Sequence, residues 1–169
     1  MVKHIVMKGI MFSLFLVSLS WGVYGQKLLS LSEKDRNSFI AEHQKWRAEV
    51  NSVPLKWNTD IQKKAEDYAL KLAKLGRLKH SESGLGENLY WFSGQTFEPE
   101  DATDAWGSEK SMYQPGTKIS TTNYQDFGHY TQMIWHKTTE VGCGVAQSQN
   151  GTFVVCQYNP PGNFIGEKP

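Results

Sequence analysis

Cysteine is nearly absent: the 169 residues hold only Cys143 and Cys156. That excludes a multi-disulfide scaffold or a cysteine-built zinc module, and leaves one bridge as the most that cross-linking can add. Net charge is also lacking. Eighteen basic against 17 acidic residues give +1, so no global field draws the chain to nucleic acid or to an anionic membrane. Lys63, Lys64, Lys71, Lys74, Arg77 and Lys79 crowd one region, but Asp60, Glu66 and Asp67 interrupt them, which reads as a solvated helix face. Long apolar runs are missing as well. Ile10 to Leu19 is too short for a permanent span, follows Lys3 and Lys8, and precedes Val23-Tyr24-Gly25; residues 1–25 therefore read as a secretory signal rather than an integral membrane anchor. Without Lys3 and Lys8, the mature chain from Gln26 carries 16 basic against 17 acidic residues, a net of −1. No His-Glu-x-x-His pattern occurs, which excludes the zinc peptidase helix built on it.

What is present suits one globular domain over residues 26–169, with 39% hydrophobic and 21% charged residues. In an oxidising compartment Cys143 and Cys156 are expected to pair; two buried free thiols would suit a cytosolic protein better. Ser32 with Glu33 and Asp35 opens a first helix whose apolar stripe runs through Phe39, Ile40, His43, Trp46 and Val50. His43 on that stripe reads as a satisfied core histidine before it reads as a ligand. Thr59 with Gln62 makes a second capping box, Ile61, Ala65, Tyr68, Leu72 and Leu75 mark the next helix, and Gly76 caps its end. His80 comes next, in a short polar loop. Glu87, among Leu85, Leu89 and Trp91, must find a partner if buried. Pro99 starts a third helix whose inner face carries Ala102, Ala105, Trp106 and Glu109, completed by Met112 and Tyr113. Gln114 to Asp126 reads as a surface loop at an entrance.

A short helix is expected from about Phe127 to Trp135, then strands over 141–147 and 152–158. Asn150-Gly151 is a hairpin signal, but a two-residue turn there leaves the cysteines diagonal, whereas a loop spanning Ser148 to Gly151 sets them opposite. Asn150-Gly151-Thr152 is also a possible glycosylation sequon at an accessible tip. Within the short helix, His129 sits between Gly128 and the run Tyr130-Thr131-Gln132-Met133-Ile134-Trp135. Such an imidazole at the edge of a core can be a metal ligand, a base or a hydrogen-bonded core residue.

These stretches resemble the CAP superfamily of cysteine-rich secretory proteins, antigen 5 and pathogenesis-related class 1 proteins. Gly128 to Trp135 followed by Thr138 matches its first signature, and Phe153-Val154-Val155-Cys156-Gln157-Tyr158-Asn159-Pro160-Pro161-Gly162-Asn163-Phe164 its second. Leu55-Lys56-Trp57-Asn58, Leu78-Lys79-His80-Ser81 and Gly86-Glu87-Asn88-Leu89 keep the family's order. The resemblance implies an α+β fold, a three-layer α/β/α sandwich of the CAP (SCP) type with a central groove. It also implies that His80, Glu87, Glu109 and His129 share that groove. Many secreted members carry three or more disulfides, and this chain departs from them in keeping one pair.

Two imidazoles make an open, weakly holding site for zinc or another divalent cation, with Glu87 and Glu109 orienting the rings. Protonated imidazole cannot ligate, so occupancy should fall with pH. The resemblance implies an extracellular binding protein, monomeric or weakly dimeric, with a small apolar ligand such as a sterol or fatty acid, or an extracellular protein, as partner and a role in defence or host interaction. Tyr113 and Phe127, flanking the loop, could guard a cavity for that ligand or could simply pack. The alternative is a metal-dependent hydrolase or peptidase with Glu87 or Glu109 as general base. A third reading makes the four groups a structural network.

Overall fold

The computed structural model describes residues 25–169. The signal reading, apart from Gly25, lies outside the described residues. Five strands form one sheet: β1 (Lys27–Leu29), β2 (Lys56–Trp57), β3 (Gly86–Phe92), β4 (Glu140–Ser148) and β5 (Gly151–Asn159). The order is β1-β4-β5-β3 with antiparallel neighbours, while β2 pairs in parallel with the start of β4, on the side that β1 takes further along.

Helix α2 (Thr59–Leu75) covers one face of the sheet, lying on β4 and β5. It can do so because both surfaces are small. Ala65, Ala69 and Ala73 recur every fourth residue and are buried, which puts them on one helical stripe. Across from them, a Cβ on Gly142 or Gly144 would stand 2.2 Å from Gln62 N or 2.3 Å from Glu66 N. Any larger residue there would push the helix off the strand. The other face is covered by α1 (Glu33–Ala48), α3 (Pro99–Ser108) and α4 (Tyr124–Ile134), which pack on one another. Their core joins Phe39, Trp106 and Met133 to Val141, Val145, Val154 and Tyr158 of the sheet. The fold is thus the expected three-layer sandwich.

Local chemistry explains the element ends, with several shifts from expectation. Ser32 and Asp35 form the capping box of α1. The cap of α2 is Asn58 and not Thr59: its Oδ1 accepts from Asp60 N at 2.9 Å and Ile61 N at 3.1 Å. Gln62 is occupied elsewhere, accepting from Trp57 Nε1 and donating to Glu66. Gly76, at φ 71°, ends α2 in the left-handed conformation that costs glycine little. Leu75 and Met112 do not join the buried faces; they are 45% and 54% exposed. Past Ser108 the chain tightens into a 3-10 turn, Glu109–Met112, which rotates Met112 off the α3 face. Helix α4 begins three residues before the expected Phe127, and Phe127 itself (φ −146°, ψ 16°) breaks it into two pieces.

The β4–β5 hairpin sets Cys143 opposite Cys156, bonded, with Cα atoms 4.1 Å apart. The register is the one the disulfide requires. Pairing continues out to Ser148 and Gly151, so the turn itself is only Gln149 and Asn150. Asn150 stands exposed in it, while Thr152 is buried in the strand.

The core also holds two polar groups that brace the helices around them. Arg47 is fully buried, and its guanidinium donates to the carbonyls of Val53, Met133, Trp135 and Thr138 at 2.7–3.0 Å. The Met133 and Trp135 carbonyls lie at the C-terminal end of α4, whose dipole favours a cation. Burial pulls Arg47 down to about 10, which leaves it charged at neutral pH. His43 is equally buried; its Nδ1 donates to Phe39 O at 2.7 Å and its Nε2 accepts from Tyr158 OH at 2.9 Å. It is the satisfied core histidine that its stripe implied.

Candidate functional site

Two carboxylate–imidazole pairs face one groove from opposite sides. The first sits where α2 hands over to β3. Tyr68 on α2 donates to Lys79 O at 2.7 Å, which anchors the loop carrying His80. Glu87 is the second residue of β3, paired in register with Gln157 on β5. Its Oε1 accepts from His80 Nδ1 at 2.9 Å and Ser81 N at 2.8 Å; its Oε2 accepts from Ser81 Oγ at 2.5 Å and Gln157 Nε2 at 2.9 Å. Burial alone would raise the Glu87 carboxyl, but the bonds from His80, Ser81 and Gln157 together outweigh it and hold the group below its ordinary value. The Glu87 side chain is 5% exposed and that of His80 62%.

The second pair depends on the break in α4. With Phe127 out of helical conformation, the amides of His129 and Tyr130 start a new helical piece and lack partners in the preceding turn. Glu109, from the 3-10 turn after α3, supplies them: Oε2 accepts from His129 N at 2.9 Å and Tyr130 N at 3.2 Å. It acts as a helix cap delivered from another element, placing negative charge at a positive helix end. Its Oε1 accepts from His129 Nδ1 at 2.6 Å. The imidazole also stacks on Trp106, whose Nε1 is held by Leu89 O. Behind it, Asn88 Nδ2 donates to His129 O at 3.0 Å and to Tyr158 OH at 3.2 Å, and the Tyr158 hydroxyl donates on to His43.

The groove between the pairs measures about 700 Å³ and is lined by His80, Glu87 and His129 together with Gln132, Tyr124 and Ile165. Glu109 lies behind His129 and does not line it. The structure therefore brings His80, Glu87 and His129 to one surface and places Glu109 one step back. Because each Nδ1 donates to a carboxylate, each neutral ring keeps Nε2 as an acceptor with no protein partner among the described residues. This is the arrangement in which a carboxylate fixes the tautomer of a metal-binding histidine. Among the described residues, no three His, Cys, Asp or Glu side chains are grouped to hold a metal ion; a divalent cation in this groove would have these two nitrogens as its imidazole donors.

Residues 40–158 match the family model for the cysteine-rich secretory protein family, CAP. The chain belongs to the CAP family. Among its CAP relatives, a pathogenesis-related protein PR-1 from Medicago truncatula is 38% identical over 140 residues, covering 82% of this chain and 80% of the relative. Pathogenesis-related protein 1C from Nicotiana tabacum is 36% identical over 139 residues, 82% of each chain. Among solved structures, NaASP2, crystallised with Zn2+, is 28% identical with a TM-score of 0.69, covering 82% of this chain and 85% of that one. The CAP fold and the kinship with pathogenesis-related defence proteins are thereby established. No helix among the described residues is long and apolar enough to cross a membrane.

Three polar residues of this CAP site are not singled out by the sequence: Ser81 and Gln157, which hold Glu87, and Asn88, which holds the backbone of His129. Gln157 and Asn88 are each almost fully buried in a strand. A lone amide inside a run such as Val154-Val155-Cys156-Gln157-Tyr158 is a usable signal, since a buried amide needs partners. Tyr113 and Phe127 pack edge to face, with centroids 5.3 Å apart, in a small cluster with Ile119 and Trp135. Neither lines the groove: Phe127 is buried and Tyr113 borders a separate cavity with Tyr130 and Ile134, while Tyr124 and Gln125, in the first turn of α4, reach the groove.

Proposed function

We propose that the chain is a secreted, non-enzymatic binding protein of the pathogenesis-related type. Its groove holds a divalent cation, zinc or a similar ion, weakly at His80 and His129, and takes a small apolar ligand, a sterol or fatty acid, against Leu85, Tyr124 and Ile165. The observation that carries the metal part is the pairing of each imidazole Nδ1 with its own carboxylate, at 2.9 and 2.6 Å. The Zn2+ in the related NaASP2 structure supports it. Exposed Ile165 and Tyr124 at the groove support the apolar ligand.

The same geometry favours binding over hydrolysis. All four carboxylate oxygens are engaged: those of Glu87 by His80, Ser81 and Gln157, and those of Glu109 by His129 and Tyr130. Glu87 is further held below the ordinary carboxylate range, the wrong direction for a general base working near neutrality. Glu87 keeps no oxygen without a donor, and Glu109 does not line the groove.

Calorimetric titration of zinc into the wild type and His129→Ala tests the metal site. The variant should lose most of the affinity; equal uptake by both proteins would remove His129 from it. For the apolar ligand, binding of radiolabelled cholesterol above a protein-free blank is expected, and its absence would end the sterol reading.

A further inference from the structure

The basic run along α2, which reads as a solvated face in the sequence, is divided by the structure. Lys63 and Lys74 are exposed and do not line the cleft of about 840 Å³ between α2 and the loop 77–83, on which Lys64, Lys71, Arg77 and Lys79 converge. None of these four cations takes part in an ion pair among the described residues. Asp67 and Glu82 also line the cleft, so four cations against two carboxylates leave a surplus of two positive charges. Along the helix, Lys64, Tyr68, Lys71 and Leu75 fall three or four residues apart and form one continuous face, about 16 Å long at the helical rise. The opposite wall is held in place by the Tyr68 hydroxyl, which donates to Lys79 O.

We infer that this cleft binds an acidic oligosaccharide of a few rings, carboxylated or sulfated. A cleft with cations on both walls suits a linear polyanion lying along the helix face. The Tyr68 ring and the 45% exposed Leu75 offer apolar contact for the C–H faces of sugar rings. Ser83 adds a hydroxyl on the loop wall. Lys71 Nζ lies 5.6 Å from the centroid of the Tyr68 ring, which places a cation beside that apolar contact. The cleft meets the groove at His80 and Ser81, which line both, yet none of its cations belongs to the metal site.

The test is calorimetry in EDTA, so that metal at His80 and His129 plays no part and the two sites succeed or fail separately. The probes are a galacturonic acid tetrasaccharide, a heparin tetrasaccharide and neutral cellotetraose. The wild type should bind at least one acidic probe and not the neutral one, with affinity falling as salt rises. The double variant Lys71→Ala/Arg77→Ala should weaken binding about tenfold or more, about 1.4 kcal/mol, while Lys63→Ala/Lys74→Ala, which removes the same charge outside the cleft, should change it less than about twofold. All four positions are exposed, so circular dichroism should show both variants folded. No binding of either acidic probe, equal binding of cellotetraose, or equal losses in the two double variants would each overturn the proposal. Sedimentation with phosphatidylserine vesicles in place of oligosaccharide binding would do the same.

Discussion

The two carboxylate–imidazole pairs use the same bond and differ in what is rigid. At His129 the ring belongs to a helix, stacks on Trp106, and has its backbone held by Asn88 and Glu109. At His80 the acid is the fixed partner: Glu87 is almost fully enclosed by four donors, and the imidazole stands on a loop, 62% exposed. One half of the groove is thus an extension of the core and the other an exposed ring on a buried anchor. Stability and binding should therefore come apart on the His80 side and travel together on the His129 side.

The strongest test of the rigid half is Arg47, whose guanidinium satisfies four carbonyls, two of them at the end of the helix that carries His129. Arg47→Met keeps much of the volume but leaves those buried carbonyls without donors. A loss of about 3–5 kcal/mol is expected in urea unfolding. A change under about 1 kcal/mol would mean that the α4 terminus holds itself.

His43, behind the same half, yields the next effect. Burial pushes it down to about 4, against an ordinary value of 6.5. It is neutral when folded and takes up a proton when the chain unfolds at mildly acid pH. Its contribution is therefore complete above about 6.5 and is lost as pH falls toward about 4, on the order of 3 kcal/mol across the window. Glu87 acts in a lower window: its folded value lies below 4.5, so its share persists above that and is lost as pH drops further. Urea unfolding at several pH values should show a steep slope in the wild type between about pH 6.5 and pH 4.5, and a shallow one in His43→Gln. Parallel slopes would take His43 out of the acid response.

Much of this contrast is legible in the sequence, and the parts that are not have physical reasons. His129 and Glu87 stand out as polar residues in apolar company. Arg47 is equally legible in principle, since Phe39, His43 and Arg47 recur every fourth residue and all three are buried; a stripe drawn through Trp46 and Val50 by hydrophobicity alone misses it. The cap made by Glu109 is not legible. It depends on a break at Phe127 that no local residue preference announces, and on a contact 20 residues distant. In the hairpin two local signals disagree: Asn150-Gly151 asks for one register and the disulfide for another, and the nine-residue strands obey the disulfide.

Glu109→Gln probes the join between cap and ring. The amide oxygen can replace one carboxylate oxygen, but its nitrogen then faces either the His129 and Tyr130 amides or His129 Nδ1, all of them donors. A moderate loss of about 1–2 kcal/mol is expected, accompanied by about a 10- to 100-fold loss of zinc affinity as the ring loses its orienting acceptor. Stability lost with full zinc affinity retained would reduce Glu109 to a helix cap.

The smallest structural effect belongs to His80→Ala, and it decides whether the contrast is real. The substitution removes one of four donors to Glu87 and leaves Ser81 N, Ser81 Oγ and Gln157 Nε2 in place. Since the lost side chain is mostly in water, the melting temperature should move by no more than about 2 °C. Zinc affinity should nevertheless fall as far as it does in His129→Ala, because a site of two nitrogens loses half its protein donors whichever ring is removed. A large drop in melting temperature would make His80 part of the Glu87 anchor, and the exposed loop would then be as structural as the helix it faces.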